Sequence, residues 1–571
     1  MPKVMKKKKK GFSSRGSSGG GGGSGKKKTP LRPYTNQQVP PCQTACPMGN
    51  DIRRALTFVA QSETYDRSYE EAMEQAFYIF TETNPMPSVL GRVCPHPCEG
   101  DCNRGKKDGA VNINQFERTL GDYGLEKGLK LTKLTDEVSG KKIAVIGAGP
   151  AGVSCAYQLA RRGHAVTVFE AYSHAGGMIR YGIPPYRLPR EVIEAEVNRV
   201  ADLGVEFKYN TIIGKDILLE DLQRDYDAVY IGMGCHKGRM LGAPGEDAKN
   251  IFTGAEFLNR INSGETIDVG NDVVVVGGGD SAIDAARVCK RLGANTTIVY
   301  RRTKKEMPAI EEEIHEAELE GIGFEFLSVP IEAVKDDNNV ATKLICQRME
   351  LGEPDASGRR RPVPIDGDTY ERSTSTLISA ISQAPDFVGD LSKVGNPKTW
   401  LRLEKETFRS TEEEKVYGGG DAFNLGLVTI AVGQGHTAAK VIDADLRGEA
   451  FKPEVKPEKF PKVKLEWYKP ADRNEKEMLP LDARFAADVD SMTLEICKGI
   501  SFDQTVDEAK RCFSCGMCMD CDNCWMYCQD QAVDKIGKSE PMGKHYVYKH
   551  ELCTGCEKCA EECPCGYLDM R

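Results

Sequence analysis

"KKIAVIGAGPAGVSCAYQLARRGHAVTVFEA", residues 141–171, reads as strand, glycine turn, helix and second strand. The apolar run "IAVI" is followed at once by Gly147, Gly149 and Gly152 in G-x-G-x-x-G spacing. The first glycine permits a tight turn, the second lets backbone approach a pyrophosphate, and the third allows helix and strand to pack closely. Pro150 and Ala151 stand at the start of the helix, where free N–H groups and the dipole favour negative charge. Glu170 closes the second strand about twenty residues on, placed for a ribose hydroxyl. A glycine motif alone is weak evidence; here strand, helix, second strand and acid all point to a dinucleotide-binding unit.

The pattern recurs in "NDVVVVGGGDSAIDAARVCKRLGANTTIVYRR", residues 271–302, with Gly277, Gly279, Asp280, Ser281 and, in place of the third glycine, Ala282. Its second strand ends in Tyr300, Arg301 and Arg302 where the first copy has an acid. An arginine pair suits a 2′-phosphate, which a carboxylate would repel. The first site is therefore expected to take FAD and the second NADPH. If both arginines were only surface charges, NADH would be the donor. A further glycine-rich strand and helix return at "VYGGGDAFNLGLVTIAVGQGHTAAKVIDADL", residues 416–446. The expected architecture is α/β, with two Rossmann-like domains: an FAD domain over 136–248 and 376–455, interrupted by an NAD(P)H domain over 249–375.

Sulfur is concentrated at the two ends. "CFSCGMCMDCDNCWMYC", residues 512–528, contains Cys518, Cys521, Cys524 and Cys528 in C-x2-C-x2-C-x3-C spacing, and "CTGCEKCAEECP" repeats it at Cys553, Cys556, Cys559 and Cys563. Two such runs are the ligand pattern of a two-cluster ferredoxin, in which the fourth cysteine of each run serves the other cluster. A disulfide framework belongs to small secreted chains, and a zinc site needs only four ligands. Cys512 and Cys515 extend the first run in register, which leaves open whether Cys515 replaces an inner cysteine. Near the N-terminus, Cys42 and Cys46 precede a helical stretch and Cys94, Cys98 and Cys102 follow it. Five cysteines suffice for one [4Fe–4S] cluster, so three clusters are expected in all.

The chain has 571 residues, enough for three or four domains, and a net charge of −8 that argues against a nucleic-acid partner. No apolar run is long enough to span a membrane. Twenty-one cysteines without a secretory leader point to a reducing cytoplasm. Residues 1–35 read as a disordered Lys/Gly-rich tail, 36–135 as a helical Fe–S domain, 456–504 as a linker and 505–571 as a ferredoxin-like α+β domain.

Residues 38–450 resemble the glutamate synthase small-subunit family of FAD- and NAD(P)H-dependent iron–sulfur oxidoreductases. The motifs that carry the likeness are "CPMGNDI", "GRVCPHPCEGDC", "GAGPAG", "GGMIRYGIPPYRLPR", "GGGDSAIDAAR", "VYRRTKKEMPA" and "GGGDAFNLG". The resemblance implies that Gly177, Met178, Tyr181, Gly182, Ile183, Arg187 and Leu188 face the flavin ring and ribityl chain. It also implies that Gly420 and Asp421 meet the flavin's polar tail, and that Gly234 and Thr429 complete the flavin set. Family members usually carry further N-terminal cysteines, absent here. Glu117 in "NINQFERT" occupies about the place of a non-cysteine ligand, so it competes with Cys42 and Cys102 to be the fourth ligand.

The ferredoxin-like tail makes the chain similar to tailed members of the family. Some of these partner dissimilatory sulfite reductase in sulfur metabolism, and others accompany ferredoxin reduction in anaerobic aromatic degradation. The expectation is an NAD(P)H:acceptor oxidoreductase passing electrons to or from a protein partner, with a homodimer left open. NAD(P)H gives up two electrons together and each cluster takes one, so FAD must stand between them; no side chain is then expected to be catalytic. The contrasting reading is a non-catalytic electron-relay subunit.

Overall fold

Two parallel sheets organise the middle of the chain. In the computed structural model, which describes residues 29–356, 358–395, 400–453, 455, 457, 461–536 and 545–571, the first sheet has the order Val416–Gly418, Ala228–Ile231, Lys142–Ile146, Ala165–Phe169, Glu206–Lys208. Its central strands are apolar runs because helices cover both faces. The strand Val416–Gly418 pairs in parallel with Ala228–Ile231, although the whole second sheet lies between them in sequence. That second sheet runs Gly323–Phe326, Asn295–Tyr300, Asp272–Val276, Thr376–Ser379, Ile251–Thr253, again all parallel. The fold is thus mixed α/β with two Rossmann-like sheets, one inserted in the other. Within the insertion, the strands Ser328–Lys335, Ala341–Pro354 and Arg360–Ser373 form an antiparallel meander. Sequence reasoning had not distinguished this meander from the rest of the domain.

The N-terminal region is helical. Ile52–Ala60, Tyr69–Thr81, Pro87–Val93 and Ile113–Glu126 are its main helices. Asp51 caps the first by accepting from Arg54 N–H, and Ser68 with Glu71 forms a capping box on the second. A Cβ on Gly91 would lie 2.3 Å from the Arg118 backbone, and one on Gly121 2.1 Å from Ser88 N. The helices Pro87–Val93 and Ile113–Glu126 therefore cross with their backbones in contact, which only glycine allows.

Three segments lie elsewhere than the sequence suggested. Residues 1–28 of the expected tail fall outside the described residues, but Pro33–Thr35, grouped with that tail, pairs antiparallel with Leu568–Met570. The helix Phe502–Arg511, placed at the edge of the ferredoxin-like domain, instead packs on the N-terminal helices, where Val506 and Ala509 join their core. Of the expected linker over 456–504, residues 461–468 pack into the core around the outlet cysteines, where Trp467 and Tyr468 are buried, and residues 476–501 form a strap over the NAD(P)H domain. Its strands Glu477–Met478 and Cys497–Gly499 pair, Arg291 Nε donates to Ser491 O at 3.0 Å, and Arg484 reaches Glu316 and Glu320. The strap also touches the helical domain, because Arg92 and Arg118 both pair with Glu495. Buried charge explains why a long polar stretch lies down: Glu316, Glu320 and Glu495 are each matched by guanidinium groups across the contact.

Candidate cofactor cleft and cysteine groups

A cavity of about 350 Å³ opens above the carboxyl ends of the first sheet. Gly147, Gly149, Pro150, Ala151, Glu170, Gly177, Met178, Gly234, Gly420 and Asp421 line it. Gly149 caps the helix Pro150–Ala160, and a Cβ on Gly177 would sit 2.9 Å from the Gly149 Cα. This close approach leaves the helix N-terminus bare for a pyrophosphate. Gly152 acts behind that wall: a Cβ there would meet Gly147 O at 1.9 Å. Glu170 is held by two backbone donors, Ala148 N–H at 2.7 Å and Tyr172 N–H at 2.9 Å, and burial raises its carboxyl above the usual range. Asp421 accepts from Gly426 N–H at 3.2 Å, and burial pushes it up to about 6. His236, which sequence reasoning missed, faces the same cavity; burial pulls its imidazole down to about 4, so it stays neutral.

A larger cleft of about 1080 Å³ adjoins this cavity and shares Met178, Asp421, Gly426 and Val428 with it. Gly277, Gly279, Asp280, Ser281, Arg301 and Arg302 line its far end, and Gly182, Ile183 and Arg187 its middle. The two arginines differ. Arg301 is exposed, whereas Arg302 is buried, with Nη2 2.9 Å from Asp355 Oδ2 and Nε donating to Arg360 O at 2.7 Å. Arg359 also lines the cleft; the run "GRRRP" was the signal for it. Asp280 accepts from Ile310 N–H at 3.0 Å, and Ala282 is wholly buried as a packing residue.

Several residues expected at the flavin do other work. Arg187 donates to both Asp284 oxygens at 2.8 Å and pairs with Glu313 at 3.1 Å, so its guanidinium joins the two Rossmann-like domains. Leu188 is fully buried, and Tyr181 packs at a tilt against Tyr172 with ring centroids 4.5 Å apart. Thr429 is buried beside the Cys94 thiol.

Among the described residues, no three Cys, His, Asp or Glu side chains close on a point tightly enough for a single ion. A four-iron cubane spreads its thiolates wider, and the cysteines fall into four such open groups. Cys46, Cys94 and Cys98 are mutual neighbours and all feel Glu117, a fully buried acid that accepts from Asn84 Nδ2 at 2.7 Å and is pushed up to about 8 by burial. Cys42 and Cys102, the other candidates beside that trio, instead line a cavity with Cys512 and Cys515. Cys518 has Cys521, Cys524 and Cys563 as neighbours. Around Cys559 lie Cys553, Cys556 and Cys528. Cys565, not singled out in the sequence, sits with its sulfur 3.9 Å from that of Cys563.

The sheets and the cleft between them define a flavoprotein that takes a pyridine nucleotide and is coupled to iron–sulfur groups. The chain belongs to the pyridine nucleotide-disulphide oxidoreductase family, whose model matches residues 141–435, with a dihydropyrimidine dehydrogenase domain II, 4Fe-4S cluster region over 35–129. It is 36% identical over 531 residues to the NADPH-Fe(3+) oxidoreductase subunit beta of Geobacter sulfurreducens, covering 84% of this chain and 76% of that one. It is 39% identical over 447 residues to the NADP(+)-dependent formate dehydrogenase subunit beta of Moorella thermoacetica, covering 73% and 61%. With the glutamate synthase [NADPH] small chain of Escherichia coli it shares 34% identity over 420 residues, covering 70% and 87%. It is an oxidoreductase that uses FAD, NADPH and 4Fe–4S clusters. No helix among the described residues is long and apolar enough to cross a membrane.

Proposed function

We propose that the chain oxidises NADPH in the larger cleft and passes the electrons through its cysteine-held clusters to a protein acceptor. The observation that carries this reading is the continuity of the cleft. It runs from Arg301 to the flavin cavity at Met178 and Asp421, and its wall includes Val93 and Pro95, the residues on either side of Cys94. Bound FAD accepts electrons in pairs and releases them singly, which joins a two-electron donor to one-electron clusters. The chain's own residues bind and orient. Gly277, Gly279 and Ser281 receive the nucleotide phosphates, and Arg301 meets the 2′-phosphate. Gly149 and Gly177 let the flavin pyrophosphate approach the backbone, and Cys46, Cys94, Cys98 and Glu117 hold the cluster nearest the flavin. Cys518, Cys521, Cys524 and Cys563, and Cys528, Cys553, Cys556 and Cys559, hold the two clusters of the outlet.

The named relatives serve Fe(3+), formate and glutamate chemistry, so the shared parts do not select an acceptor. A ferredoxin-type protein and a dissimilatory sulfite reductase are the two to assay. Anaerobically purified protein mixed with NADPH should bleach its flavin absorbance and then reduce one of them. Failure of NADPH to bleach the flavin would leave the non-catalytic relay as the better reading.

A further inference from the structure

Cys42 and Cys102 belong to the N-terminal domain, Cys512 and Cys515 to the segment that follows the helix Phe502–Arg511, and all four face one cavity. This convergence across the chain is not incidental contact. Arg53 Nη1 donates to Cys515 O at 2.7 Å, and the Thr57 and Ser514 hydroxyls lie 2.8 Å apart. Arg511 donates to Ala110 O at 3.0 Å and to Gly109 O at 2.8 Å. The segment is thus fastened on both sides of its cysteines. Asn103 Nδ2 lies 3.5 Å from Cys515 Sγ, and Ser514 N–H donates to Cys512 Sγ at 3.4 Å, so two of the sulfurs already have N–H donors of the kind that surround cluster thiolates. The donor set is four cysteines, which fits a [4Fe–4S] cluster. Among the described residues, no carboxylate lines the cavity.

We propose that Cys42, Cys102, Cys512 and Cys515 together hold a fourth [4Fe–4S] cluster that wires the flavin side of the molecule to its outlet. The inference rests on the electron-transfer reading above and adds the missing step in it. Three of the four ligands lie three or four residues from a ligand of a neighbouring group. Cys42 and Cys46 are four residues apart on one helical turn, with Cys46 N–H donating to Cys42 O at 3.1 Å. Cys102 follows Cys98 by the same interval, and Cys515 precedes Cys518 by three residues. Three or four residues of chain span at most about 14 Å, so the fourth group lies beside both the N-terminal trio and the first outlet group. Without it, the two ends of the path would be joined only by protein.

The test is elemental and spectroscopic, on the full chain prepared anaerobically. Iron and acid-labile sulfide should each reach roughly sixteen atoms per chain, since every cluster contributes four of each. About twelve would overturn the proposal, as would a zinc atom in place of the last four irons. Cys512→Ser/Cys515→Ser and, independently, Cys42→Ser/Cys102→Ser should each lose about four irons and the same signal from the reduced electron paramagnetic resonance spectrum. FAD content and NADPH-driven dye reduction should persist while transfer to the protein acceptor falls at least tenfold. Retention of full iron by either double variant refutes the assignment even if acceptor reduction is slowed. A wild-type count of sixteen with no acceptor reduced at all would instead count against the proposed function while leaving the cluster in place.

Discussion

At the residue scale, the two arginines of "VYRR" illustrate how adjacent side chains of one type divide their work. Arg301 is exposed in the cleft, and Arg302 is locked to Asp355 and the Arg360 carbonyl. Arg301→Ala should therefore lower kcat/KM for NADPH roughly ten- to hundredfold, the loss of one charge-assisted contact of about 1.5–3 kcal/mol, and leave NADH nearly unaffected. Arg302→Ala should act on stability instead, because it removes the guanidinium that ties Asp355 to the Arg360 carbonyl at the root of the meander. Steady-state kinetics with both nucleotides, beside thermal unfolding, separates the two outcomes. An equal loss with NADH and NADPH in Arg301→Ala would make it a general phosphate binder.

At the scale of elements, burial of charge decides what can be changed. Glu320 is buried and pairs with Arg287 at 2.8 Å, Arg291 at 2.7 Å and Arg484 at 3.2 Å. Glu320→Gln should leave three guanidinium groups without their shared carboxylate and cost about 3–5 kcal/mol. Arg484→Met should cost less, because Glu320 keeps two partners. The helix Val428–Arg447 buries His436, whose imidazole is pulled down to about 3, first by burial and then by Lys440, Arg162 and Arg161. A folded-state value below the unfolded one means that stability is full above about pH 6.5 and falls as the solution is acidified toward pH 3. Between about pH 6.5 and pH 5 this one group accounts for roughly 2 kcal/mol, so His436→Gln should show a shallower loss of Tm over that range.

The elements also show where sequence reading succeeds. Both strand–glycine–helix units were legible because local sterics force them, and so was the split of one domain by the other, since a glycine-rich strand returned at residue 416. The cysteine spacings marked candidate ligands that share a loop. They could not reveal that Cys512 and Cys515 face Cys42 and Cys102, because spacing carries no information about partners at opposite ends of a chain. The strap failed to register for a related reason: its charges look like a solvated linker until the opposing carboxylates and guanidinium groups are brought alongside.

For the whole molecule, the boundary of the outlet domain sets what a truncation means. Removing residues 517–571 should subtract the two outlet clusters, about eight irons, while NADPH-driven dye reduction persists and transfer to a protein acceptor is lost. Cutting instead at residue 501 removes the helix Phe502–Arg511, with Val506 and Ala509 from the N-terminal core. That shorter form should lose thermal stability and dye reduction as well. Iron analysis and differential scanning of the two truncations would distinguish a modular tail from a shared core; identical behaviour would argue against the boundary at residue 516.

The helix Phe502–Arg511 also imposes an order of events on the ribosome. The N-terminal helices emerge early, yet the piece that completes their core and contributes Cys512 and Cys515 is translated after both sheets. At 5–20 residues per second, residue 516 follows residue 129 by roughly 20–80 s. During that interval the sheets can fold and the first helices must wait with an open apolar face. At the proposed four-cysteine site, loading on Cys42 and Cys102 therefore waits until Cys512 and Cys515 have been made, whereas the trio Cys46, Cys94 and Cys98 has all its sulfurs early.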